Sequence, residues 1–191
     1  MSDLLQRLLD RQSVGAKHLA EPGPDAAQLR RMADAALRAP DHAGLVPFRF
    51  SVVAGPARDR LAALFEQAAR DAGKDADGAA LDAERARRAP VTVAVIARPD
   101  LGHPQVPVHE QWICLGGALA NFLNAAQALG FAGKMLSGGK VRHPRVQQAF
   151  CGPGETLVGW VALGTPKASP TRGHDKPRAA DVIGNWLGDP S

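Results

Sequence analysis

Three features of the sequence predict a layered α/β architecture around one core. At 191 residues the chain fits one domain, 1–191, large enough to bury a substantial core. Two runs, 91–97 (VTVAVIA, between Pro90 and Pro99) and 156–164, are almost continuously apolar and read as strands covered on both faces. Between and around them lie stretches with helical spacing of apolar residues, so helices alternate with a few strands. No internal repeat or low-complexity linker divides the chain.

Leu4, Leu5, Leu8 and Leu9 recur at helical spacing behind Ser2, a candidate N-cap, which predicts a first helix to about Arg11. The chain leaves it through Arg11, Gln12, Ser13, Val14 and Gly15, and 20–24 reads as a loop. Asp25 caps a second helix with Leu29, Met32, Ala33, Ala36 and Leu37 on one face, and Pro40 ends it because proline disfavours helical geometry in the residue before it. Residues 37–50, LRAPDHAGLVPFRF, pass from a helix end through a short polar loop into a strand, a setting in which binding groups concentrate. Arg38 suits the helix dipole there and can equally reach an anion or a polar ring edge. A plain helix-to-strand connection with solvated Asp41 and His42 explains the stretch as well.

Residues 48–54 alternate and are β-rich, Gly55-Pro56 turns the chain, and 57–72 forms a helix with Leu61, Leu64, Phe65 and Ala68 on one side. The next helical piece, ending at Arg88, is rich in Ala and charge and is expected to face solvent. After a Pro- and His-containing loop, 108–129 is the longest helix. It is apolar or small nearly all round, which predicts a central, buried helix. Gly116, Gly117, Ala118 and Ala120 allow close approach, while His109, Glu110, Gln111, Asn121 and Asn124 argue against lipid. A strand and loop at 130–139 (GFAGKMLSGG), a short helix at 143–150 and the strand at 156–164 follow. Beyond Thr165 come prolines at 166, 170 and 177, then Asp181 to Leu187, whose apolar residues need a surface to cover on this domain or on a second copy.

The net charge is only +4, with Lys and Arg dispersed and no dense basic block, so no nucleic-acid partner is expected. A mildly positive field favours anionic ligands, phosphates included. Cys114 and Cys151 form neither a CxxC nor a metal spacing and read as free thiols of a reducing cytoplasm. No secretion-type apolar region or membrane-length apolar run is evident, so a cytoplasmic protein without membrane contact is expected. There is no GxSxG, no HExxH and no Cys/His pair in a nucleophile setting, and the six histidines are dispersed. An enzyme of this kind relies on an organic cofactor for its chemistry. Arg11 with Ser13 can hold a phosphate through a guanidinium fork and a hydroxyl, or can simply end a helix. The glycines after Ser137 can present backbone N–H groups to a ligand or make a tight turn.

Taken together, Arg11-Gln12-Ser13, Leu37-Arg38-Ala39-Pro40-Asp41-His42, Pro47-Phe48-Arg49-Phe50, Gln127-Ala128-Leu129-Gly130-Phe131 and Leu163-Gly164-Thr165-Pro166 resemble, in order, segments of the nitroreductase family of FMN-dependent oxidoreductases, in its short YdjA-type branch. The resemblance implies an α+β fold with a central, mainly antiparallel sheet flanked by helices, and an obligate homodimer. The tail from about 165 to 191 would be swapped onto the partner subunit. It implies hydride transfer from NAD(P)H through FMN to a small-molecule electron acceptor such as a nitroaromatic or quinone. By the same resemblance Arg11, Gln12 and Ser13 would hold the phosphate and ribityl chain, and Arg38 would approach from that side. Pro40, Asp41 and His42 would reach the flavin from the partner chain, and Met135, Leu136 and Ser137 would line the ring. The branch carries a second Arg where Gln12 stands, and Trp-Arg where Met135-Leu136 stand. The first departure removes a charge from the phosphate; the second removes positive charge near the ring, which should make it harder to reduce. Together they leave a non-catalytic flavin- or planar-ligand-binding protein on the same fold as the alternative.

Overall fold

The computed structural model of the chain describes residues 3–168, 176–186 and 188. In chain order the elements are α1 (Asp3–Asp10), β1 (Leu19–Ala20), α2 (Ala26–Ala36), β2 (Phe48–Ala54), α3 (Ala57–Asp71), α4 (Ala76–Arg87), β3 (Val91–Ala97), α5 (Val108–Ala128), β4 (Ala132–Leu136), α6 (Pro144–Phe150) and β5 (Thr156–Pro166). Local chemistry sets several boundaries. At α2 the Asp25 carboxylate accepts the Gln28 N–H at 2.8 Å while the Gln28 side-chain oxygen accepts the Asp25 N–H at 2.8 Å, a reciprocal capping box. At α4 the cap is one-way: the Asp75 carboxylate accepts the Gly78 N–H at 2.8 Å. The proposed cap of α1, Ser2, lies outside the described residues.

Every strand pairing is antiparallel. β5 is the hub: it pairs with β3, β4 and β1, and β2 extends the sheet beyond β3. Phe48 opposes Ala97 and Ala54 opposes Val91, so β2 and β3 run in unbroken register, whereas β3 and β5 shift register at Val95/Ile96. The continuous apolar run of β3 signals two covered faces, and here helices cover both sides of an antiparallel sheet. On one face Met32 and Ala36 of α2, with Leu115, Ala118, Phe122 and Ala126 of α5, pack on Val93, Val95, Val161 and Leu163. On the other, Leu61, Phe65 and Ala68 of α3, Ala83 and Ala86 of α4, and Val146 of α6 pack on Ala94, Ile96, Leu157 and Trp160.

Three expectations need correction. The Ala-rich α4 is no solvent excursion: Ala79, Asp82, Ala83 and Ala86 form a buried stripe, because small side chains let it lie close against α3. Ala20 belongs to β1 and not to a loop, drawn into the sheet by its pairing with Thr165. The third concerns α5, which is buried on one side only. Its opposite face carries Trp112 and Ile113, 40% and 67% exposed, together with exposed Gly116 and Ala120. The tail leaves Val182 and Ile183 open and Trp186 90% exposed, and Leu187 lies outside the described residues.

Arg49 of β2 ties the sheet to the turn before β5. Its guanidinium donates to both Glu155 carboxylate oxygens at 2.6 and 2.5 Å and to the Phe150 carbonyl at 2.6 Å. The hydrogen bonds from Arg49, aided by the Gly152 N–H, bring the Glu155 carboxyl down to about 2. A folded-state value below the unfolded one means stability that is complete above the ordinary carboxyl range and is lost as pH falls toward 2. Arg49→Ala is therefore expected to destabilise the fold by roughly 1–3 kcal/mol near neutrality, and urea melts from pH 6 to pH 3 should show the variant losing less stability than wild type.

Candidate functional site

The loop after α2 is held in an unusual conformation. Ala43, Gly44 and Val46 have φ of 62°, 67° and 48°, values that L residues, and β-branched ones above all, rarely adopt. The Asp41 carboxylate compensates by accepting the Leu45 N–H at 3.2 Å and the Val46 N–H at 2.8 Å. It also lies against the buried Cys114 thiol, which burial, and then Asp41, push up to about 11. Asp41 thus shapes the loop from within, while exposed Arg38, Pro40 and His42 stand on its outside. The His42 ring Nδ1 is 2.7 Å from a Glu110 carboxylate oxygen at the start of α5. Gly117 lets the loop seat there, since a Cβ on it would come within 3.3 Å of the Ala39 Cβ.

A second group forms along β4. The residues leaving α1 run beside this strand: Ser13 bridges Gly133 in parallel, and the Val14 N–H donates to the Gly133 carbonyl at 3.0 Å. Half-buried Arg11 and Gln12 line a cavity of about 220 Å³ with Leu123, Gln127, Phe131 and Gly133. At the other end of β4, Met135 packs toward α5, Leu136 toward the opposite face, and Ser137 is exposed. Four residues separate Gly133 from Ser137, about 13 Å of extended chain.

Ser137 opens onto a larger cavity of about 500 Å³, walled by Phe65, Ala68, Leu136 and Trp160. Lys74, Arg85 and Lys140 surround it with positive charge, and Asp82 lies beneath them, only 1% exposed. One Asp82 oxygen is 2.8 Å from the Lys74 ammonium, and the other is 2.8 Å from Lys140 and 3.4 Å from Arg85. Burial pushes the Asp82 carboxyl up, but hydrogen bonds from Lys140 and Lys74 outweigh it and hold the group below its usual range. Sequence reasoning missed this cluster. The available signal was an acidic residue in step with Ala79, Ala83 and Ala86 on the small-residue stripe of α4.

The structure thus brings Arg11, Gln12 and Ser13 together with Met135, Leu136 and Ser137 along one strand. It does not bring Arg38, Pro40, Asp41 and His42 to them. Glu110, beside His42, and Gln127, beside Arg11, lie at opposite ends of α5, and 17 residues of helix between them span about 26 Å.

The smaller cavity, beside Arg11 and Gln12, opens on the α5 side of the sheet, and the larger, apolar with a cationic rim, opens on the α3 and α4 side at the other end of β4. Residues 8–165 match the model of the Nitroreductase family, and the chain belongs to that family. It is 40% identical over 167 residues to an Escherichia coli (strain K12) protein named "Putative NAD(P)H nitroreductase YdjA", covering 86% of this chain and 89% of that one. Among solved structures, a nitroreductase-like family protein from Bacillus cereus superposes with a TM-score of 0.84 at 18% identity, covering 98% of each chain. A Desulfovibrio desulfuricans protein described as "a putative nitroreductase in complex with fmn" gives 0.71 at 20% identity, covering 100% of this chain and 98% of that one. Both structures share the fold described above.

Proposed function

We propose that the chain is a homodimeric FMN-dependent oxidoreductase that takes hydride from NAD(P)H and passes the electrons to a nitroaromatic, quinone or similar electrophilic acceptor. The observation that carries this reading is the division of the site between the two ends of α5. Neither the loop at 38–46 nor the Arg11–β4 group encloses a flavin alone. A second copy packed antiparallel on the exposed face of α5 brings the loop of one subunit to β4 of the other.

Several features favour that packing. The open face of α5 follows a helical stripe through Ile113, Gly116 and Ala120, and its small residues let a second helix approach closely. Leu4, Leu5, Leu8 and Leu9 of α1 are also exposed, and α1 adjoins the end of α5, where the Gln127 amide donates to the Arg7 carbonyl. The tail, from about 165 to 191, supplies further uncovered apolar surface in Val182, Ile183 and Trp186 for the second copy to take up. Such a contact is extensive and apolar, as obligate dimers require.

The residues suit FMN. The Arg11 guanidinium and Ser13 hydroxyl match a phosphate, Gln12 and Gly133 flank the ribityl chain, and Met135, Leu136 and Ser137 flank the ring. His42 from the second copy supplies a donor at the ring edge, and Asp41 acts through the loop it shapes. Arg38 stands on the same exposed side. Bound FMN supplies the two-electron chemistry, and the chain contributes orientation, charge and exclusion of water.

Purified protein is expected to be yellow, to bleach with NADPH or NADH under anaerobic conditions, and to recover its colour on addition of a quinone. Colourless protein that takes up no added FMN overturns the reading. Yellow protein that never bleaches favours the non-catalytic flavin binder instead.

A further inference from the structure

We infer that the cavity on the α3 and α4 side of the sheet is a second ligand site, separate from the flavin, and that it takes a small organic anion with a flat apolar body, an aryl carboxylate being the simplest. It shares none of Arg11, Gln12, Ser13 or Met135 with the proposed flavin site, and it opens on the other face of the sheet from the cavity at Arg11. Its occupancy requires no flavin.

The walls define the body of the guest. At about 500 Å³ the cavity has the size of a small-molecule site, and it has the usual make-up of one, apolar walls with a few polar groups. α3 supplies Phe65, Ala68 and Ala69, and the sheet supplies Leu136 and Trp160. The rings of Phe65 and Trp160 meet edge to face with their centres 5.0 Å apart, an arrangement that fixes both and gives the wall an aromatic character.

The charge defines the other end of the guest. Lys74, Arg85 and Lys140 converge on these apolar walls, and Asp82 is the one acidic residue among the described residues that line them. One carboxylate needs one close cation, yet Asp82 has the Lys74 and Lys140 ammonium groups at 2.8 Å and the Arg85 guanidinium at 3.4 Å. Positive charge is therefore in surplus. It is also what a guest meets first, because Asp82 is 1% exposed while the three cations are only partly covered. A lysine ammonium has three donors, so the bond to Asp82 directs each ammonium and leaves donors for an incoming anion. Lys140 is held from a second side by the Phe65 ring, whose centre is 5.5 Å from its nitrogen. Trp160 Nε1 and His143 Nδ1, on two wall residues, are buried with no hydrogen-bond partner, so the wall carries polar capacity that the chain itself does not use.

The test is isothermal titration calorimetry of the purified protein with naphthylacetate, an apolar ring bearing one carboxylate, and with naphthylacetamide, its uncharged counterpart. The acid is expected to bind once per chain and the amide at least about tenfold more weakly, since the charge-assisted hydrogen bonds are lost. Lys140→Gln should weaken the acid by about tenfold and leave the amide unchanged. Lys74→Gln, at an exposed position, should do the same, and it keeps the test readable if Lys140→Gln disturbs its loop. Ala72→Trp, which adds bulk at an exposed position of the wall, should block acid and amide alike. Loading with FMN should leave the affinity for the acid unchanged. Wild-type protein that does not bind the acid, equal binding of acid and amide, or affinities that none of the three substitutions alters would overturn the assignment. Displacement of the acid by FMN would overturn the separation of the two sites. None of these results bears on whether the chain binds FMN, which the colour of the protein reports by itself.

Discussion

Replacing Ile113 with glutamate is expected to yield a folded monomer of 20.1 kDa that does not retain FMN. In a single chain Ile113 is 67% exposed on α5, pointing away from the core formed by Leu115, Ala118 and Phe122. A charge there costs the isolated subunit little, within about 0.5 kcal/mol for a surface position. At the proposed interface the same carboxylate is buried without a partner, once from each subunit, at several kcal/mol per unpaired charge. Each 1.4 kcal/mol is tenfold in an equilibrium constant, so association should weaken by at least about a hundredfold. The flavin follows, because His42 and Arg11 lie at opposite ends of α5 and share a cofactor only across two chains. Light scattering with size-exclusion chromatography, a thermal melt and the bound-flavin absorbance read the three parts separately. A flavin-free monomer that still melts cooperatively, but below wild type because it has lost the stabilisation given by partner and cofactor, is the expected pattern, and a dimer that keeps its colour contradicts it.

The same helix shows where sequence reasoning stops. The apolar pattern of 108–129 correctly marks a helix, but it cannot separate residues that meet their own core from residues that await a second copy. Phe122 is buried and Ile113 is not, though both read as core. Signals carried within a few residues were legible: the Asp25 cap, the two-sided burial of Val91–Ala97, the helix stop at Pro40. β1 escaped notice because two residues have no periodicity. The site divides in the same way. Arg11 with Ser13 and Met135 with Ser137 are short motifs, but their alignment along β4 depends on the Ser13–Gly133 bridge, which no local pattern encodes. The cluster at Asp82 needed three chain segments at once, with Lys74 before α4, Asp82 within it and Lys140 after β4.

Because β4 links both ends of the proposed flavin site, its fit against β5 should be highly sensitive to a single added methyl group. A Cβ on Gly133 would lie 2.6 Å from the Ala162 carbonyl oxygen and 2.8 Å from Leu163 Cδ2, closer than real Cβ contacts come. The obstructing atom is backbone of the central strand, so relief requires β4 to move away from β5 along the pairing from Ala132 to Leu136. Such overpacking costs about 1–3 kcal/mol or more. It also shifts Ser13, which is bridged to Gly133, together with the Met135 to Ser137 wall. Gly133→Ala is therefore expected to lower the melting temperature by roughly 5 °C or more and to lose FMN as well. Gly15→Ala is the matched control: its φ is −68°, its ψ 150°, and an added Cβ meets nothing within 4 Å. That variant should melt within a degree or two of wild type and stay yellow, since a conformation open to alanine carries no strain and the substitution slightly restricts the unfolded chain. Equal behaviour of the two variants would mean that β4 tolerates displacement, and the flavin would then have to be held by something other than the strand.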